Sequence, residues 1–84
     1  MEINGTDIEI ICRNKMEHLF MASLISSDNI LSIKDAEKSL GFIDDVEKAV
    51  EESNISNTKK DEFRNYIKKG KEILKADIKR FKEN

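Results

Sequence analysis

Two side chains in this sequence offer thiol or imidazole chemistry, Cys12 and His18. They stand six residues apart, which on a helix turns them by about 240° and points them in different directions. A thiolate–imidazole pair needs hydrogen-bond contact, so one helix carrying both excludes that nucleophile. A structural zinc site draws four ligands from such residues, and there is no second Cys or His to add. Asp44 and Asp45 are adjacent but lack the Asp-x-Asp-x-Asp-Gly loop of a calcium site. Gly5, Gly41 and Gly70 are isolated and make no phosphate-cradling loop. Among the 17 carboxylates, no spacing puts two in a pocket that would separate their pKa values. The expectation is a chain with no catalytic residue, no metal and no cofactor.

His18 admits one sharper use. In histidine phosphotransfer domains an exposed His is often followed by Lys three residues on and Gly four residues on. Met21 and Ala22 hold those positions here, and Met21 brings no cation to a phosphoryl group. His18 reads instead as a flank or interface residue.

Charge is the next signal. The net value of −2 over 84 residues conceals an acidic middle and a basic end. Residues 28–52 carry 8 acidic and 3 basic groups, whereas residues 59–84 carry 5 acidic and 10 basic. Two opposite surfaces follow as candidates. Asp44, Asp45, Glu47, Glu51 and Glu52 form an acidic surface suited to a basic site on another protein. Lys60, Arg64, Lys68, Lys71 and Lys75 form the alternative, a surface tracking nucleic-acid phosphates without sequence preference. Lysines predominate, giving point charges rather than the guanidinium forks that read base edges.

The segment Ser32–Phe42 superficially resembles the first half of a helix-turn-helix. Ala36 and Gly41 are five apart, where that motif spaces its small residue and turn glycine by four. The following Ile43-Asp44-Asp45-Val46-Glu47-Lys48 places acids where DNA phosphates want cations. The motif is rejected, and Gly41 is read as a small residue, or a kink, within one helix.

The elements that must position these groups are helical. There is no proline, few glycines and no alternation of period two. The periodicity predicts helices over about 6–26, 32–52 and 58–82, separated by the Ser/Asn-rich breaks 26–29 and 53–57. Thr6 with Glu9 has capping-box spacing, Ser32 caps the second helix, and Asn57 or Thr58 caps the third, with Asp61 and Glu62 in its first turn. On the second helix Ile33, Ala36, Leu40, Ile43, Val46 and Val50 share a face; on the third, Phe63, Ile67, Gly70, Leu74, Ile78 and Phe81 do.

The first helix differs. Ile8, Ile11, Cys12, Leu19 and Ala22 make one apolar face, and Ile10, Met21, Leu24 and Ile25 lie on roughly the opposite side. Two neighbours in so short a chain cover only part of such a helix, so a partner is expected, most simply a second copy. The fold expected is therefore all-α, a three-helix antiparallel bundle of one domain over residues 1–84, pairing as a homodimer. Interface residues would be Ile10, Met21, Leu24, Ile25 and Phe42, the last an aromatic anchor beside the acids.

A lone Cys12 suits a reducing, cytoplasmic setting. The start has no signal-peptide pattern, and the longest stretch free of Asp, Glu, Lys and Arg, His18–Ser27, is too short to span a bilayer. The excess of Lys, Ile and Asn is how a low-GC genome spells protein, consistent with a bacterium, phage or mobile element. The functional expectation is a small non-enzymatic interaction module, a regulator or inhibitor that binds another protein.

Overall fold

The computed structural model describes residues 3–24 and 31–83, Leu24 by its backbone alone. The described residues are all-helical, in the order α1 (Gly5–Arg13), α2 (Glu17–Leu24), α3 (Ile33–Glu52) and α4 (Asn57–Glu83). Four helices stand where three were expected, because the first breaks at Asn14–Met16.

The break is a Schellman turn. The Lys15 N–H donates to Cys12 O at 3.1 Å and the Met16 N–H to Ile11 O at 3.0 Å. These bonds satisfy carbonyls that the end of α1 would leave unpaired. The geometry requires a left-handed residue, and Lys15 supplies it at φ 56°. Glycine is the usual occupant because an L side chain there costs about 1 kcal/mol or more. Without Gly or Pro at the joint, the periodicity alone runs straight through it.

The other boundaries fall close to expectation, with different caps. At α1 it is Asn4 that caps, exchanging hydrogen bonds with Asp7 in a capping box two residues before the expected one. Ser32 caps α3 as expected, accepting from the Asp35 N–H at 3.2 Å. Ser56, rather than Asn57 or Thr58, caps α4 through the Lys59 N–H. Asp61 and Glu62 consequently lie beyond its first turn.

The long helices α3 and α4 form the body. Arg64 pairs with Glu51, and Lys71 with Glu47 and Asp44, so α4 ascends as α3 descends and the two are antiparallel. Between them lie Ala36, Ile43, Val46 and Val50 from α3 and Phe63, Ile67 and Leu74 from α4, all buried. Gly70 is buried in that seam as well. Gly41 sits inside the single helix α3, facing open space. The short helices add Ile8 and Met21 to the same core, both fully buried. Close approach of α1 to the end of α3 depends on Gly5, where a Cβ would lie 3.1 Å from the Glu52 carbonyl and the Ser53 Cα. No described helix is long and apolar enough to cross a membrane.

Candidate functional site

Helix α2 is the least conventional element. Its inner side buries Met21 and Glu17, and its outer side presents Leu19, 68% exposed, with Met16 just before the helix at 49%. Ala22 and His18 are also exposed. An eight-residue helix that turns leucine to solvent leaves roughly 0.8 kcal/mol per CH2 group of transferable surface unused.

Glu17 anchors this helix. Its Oε1 accepts from the Lys59 ammonium at 2.8 Å, while its Oε2 has no hydrogen-bond partner. Lys59 also reaches Glu62 at 3.4 Å. The Lys59 hydrogen bond holds the Glu17 carboxyl below the usual carboxylate range, and the same bond raises the Lys59 ammonium. Burial, reinforced by the Glu17 charge, pushes the Cys12 thiol up. Cys12 therefore stays a protonated thiol near neutral pH, the reverse of what a thiolate nucleophile needs. The His18 ring meets Tyr66 edge-on, with centroids 6.3 Å apart.

The expected interface residues separate into four groups. Ile10 is exposed. Met21 is buried within the chain's own core, so it is unavailable as a surface anchor. Phe42 is half-buried and packs against the core rather than standing out beside the acids. Ile25 and the Leu24 side chain lie outside the described residues, as does the expected break at 26–29.

Both charged surfaces are partly consumed by each other. Arg64 forks onto Glu51 at 2.7 and 2.8 Å and also reaches Asp61 at 2.8 Å. Lys71 stands 3.1 Å from both Asp44 and Glu47, and Lys60 donates to the Glu51 carbonyl at 3.2 Å. The Arg64 bond keeps the Glu51 carboxyl below its ordinary range, and hydrogen bonds to Asp44 and Glu47 raise the Lys71 ammonium. Of the basic candidates, Lys68 and Lys75 stay exposed without a salt bridge among the described residues. Of the acidic ones, Asp45 and Glu52 instead line an open cleft with Ile3, Asn4, Lys48 and Ala49, beside the start of α1.

Two buried carboxylates escaped the sequence reading, Glu17 and Asp77. Asp77 keeps one oxygen 3.3 Å from Arg80 and the other without a partner. The signal was their phase. Glu17 lies in line with Ile10 and Met21, and Asp77 in line with Gly70 and Leu74. A carboxylate on an apolar stripe calls for a cation within reach. Among the described residues no group of three or more His, Cys, Asp or Glu is arranged to hold a metal ion.

Set against protein-family models, curated proteins and solved structures, the chain matches none.

Proposed function

We propose that this chain is a small non-enzymatic interaction module, a regulator or inhibitor that works by binding another protein, and that it pairs with a second copy of itself. The observation carrying the reading is the outward apolar face of α2, with Leu19 68% exposed beside Met16 and Ala22. Large apolar side chains grouped on one short helix are what a partner covers. Asp45 and Glu52, which make no ion pair among the described residues, add charge at the cleft beside α1. Cytoplasmic action and an origin in a low-GC bacterium or its phages complete the proposal.

The test is Leu19→Asp. Light scattering after gel filtration at high micromolar concentration reads self-association, and circular dichroism reads folding. The charged variant should stay helical and run as the monomer. A wild-type species of 9.7 kDa at that concentration would defeat the homodimer.

The nucleic-acid reading rests on Lys68 and Lys75, since Lys60, Arg64 and Lys71 are engaged within the chain. Two cations release few counterions, so the expected salt slope is shallow. A mobility shift on random duplex at about 50 mM salt, lost in Lys68→Glu/Lys75→Glu, would favour it over protein binding.

A further inference from the structure

The joint between α1 and α2 carries a contradiction. Its backbone is bent through a left-handed lysine, yet its side chains are phased for a straight helix. Built as one helix, Ile8, Ile11, Cys12, Leu19 and Ala22 fall within about 100° of one another, and Ile10, Glu17 and Met21 within about 40° on the opposite side. The bent chain uses only part of this pattern. Ile8 is buried against α3, while Leu19 and Ala22, its continuation past the joint, face solvent.

From this we infer that α1 and α2 also exist as one continuous helix, and that α1 then docks on α3 of a second copy, whose own α1 docks in return. The inference rests on the homodimer proposed above and gives that dimer its route. The contacts that α1 makes with α3 in the bent chain are kept but are made between copies: Ile8 enters the second core, and Gly5 seats against Glu52 and Ser53 there. The Glu17–Lys59 bond and buried Met21 hold the α2 part of the helix on its own α4. The opposite stripe, now including Leu19 and Ala22, faces the second copy. The straight form thus gives both apolar sides of the helix a partner, one within the chain and one outside it.

Straightening also releases Lys15 from the left-handed region, once per copy. In the continuous helix Lys15 falls within the outward stripe, where its stem lies along the second copy and its ammonium reaches the edge. Substitutions there have opposite signs. Lys15→Gly suits the bent turn and weakens a straight helix, and two joints change per dimer, so the dimer should dissociate at a concentration more than about tenfold higher. Lys15→Leu should tighten the dimer, because it disfavours the turn and extends the stripe.

The deciding experiment is cross-linking in a Cys12→Ser background. Ile3 and Lys48 line the same cleft, so a chain carrying both Ile3→Cys and Lys48→Cys can be joined by a short bismaleimide. Exchange predicts a band of twice the chain mass on a denaturing gel, in proportion to the dimer seen by light scattering. It also predicts the same band when the two single variants are refolded together. A light-scattering dimer whose cross-links stay within single chains would overturn the exchange and leave the homodimer standing. A monomer at high micromolar concentration would remove both. Circular dichroism checks that each variant folds, and Lys15→Asn, which also accepts the left-handed turn, stands in for Lys15→Gly if that chain does not.

Discussion

Arg64 grips Glu51 with two parallel hydrogen bonds, Nε to Oε1 at 2.7 Å and Nη2 to Oε2 at 2.8 Å. This fork joins α4 to α3 and, with Lys71 between Asp44 and Glu47, turns the opposed charges of the two helices into an internal bond. The pair is half exposed, so its contribution is small and screened. Glu51→Gln should lower the thermal midpoint slightly at low salt. The difference from wild type should fade near 1 M salt, where the Debye length is about 3 Å. A midpoint difference that persists in high salt would point to packing rather than charge.

Glu17 ties the stability of the fold to pH. Its folded pKa is depressed by Lys59, so the stabilisation is present above the ordinary carboxylate range and is lost as pH falls through the depressed folded value. Lys59→Met removes the cation and strands a buried carboxylate. Urea denaturation followed by circular dichroism should therefore show that variant less stable than wild type near neutral pH, with the difference narrowing as pH falls and Glu17 is protonated. An unchanged transition would mean that Glu17 finds solvent instead of Lys59.

The two sides of α2 should respond in contrasting ways. Met21→Ala opens a cavity in the core and should cost about 2–4 kcal/mol, a large part of what so small a domain has. Leu19→Ala should leave the unfolding free energy of the monomer within about 0.5 kcal/mol of wild type. Urea denaturation at low protein concentration separates the two. Equal losses would show that Leu19 is covered within the chain.

Glycine should also be read position by position. Gly5→Ala forces a Cβ against backbone atoms at 3.1 Å, and backbone cannot step aside as a side chain can, so a loss of about 1–2 kcal/mol is expected. Gly41→Ala meets nothing within 4 Å inside α3 and should gain about 0.5–1 kcal/mol. Thermal unfolding of the two variants gives opposite shifts if the α1–α3 approach is as close as described.

Most of the helical plan was legible because it rests on period. The stripes of α3 and α4 recur in or against the core, Ile33 excepted, and Ser32 caps where a serine before an apolar repeat should. The joint at Lys15 was not legible, since its turn is made by backbone hydrogen bonds and a residue type that seldom adopts it; Asn14 was the one local hint. Met21 was assigned to the outside because the apolar surplus of one long helix was given to a partner, and Glu17 was overlooked although its phase with Ile10 and Met21 marked it. The charge asymmetry was plain in the sequence, but its use required knowing that the acidic and basic helices lie side by side.

The pairing of α3 with α4 also bears on the order in which the chain assembles. They are neighbours in sequence, joined by the short link Ser53–Ser56, so their shared interface closes a small loop and can form early. Helix α1 must wait for the end of α3, some forty residues further along, before Gly5 and Ile8 have anywhere to go. Amide hydrogens should thus exchange slowest at the centre of the α3–α4 hairpin and fastest in α1. If the hairpin closes first, its α1 berth stands vacant until α1 docks. At high protein concentration that vacancy is open to whichever α1 arrives first.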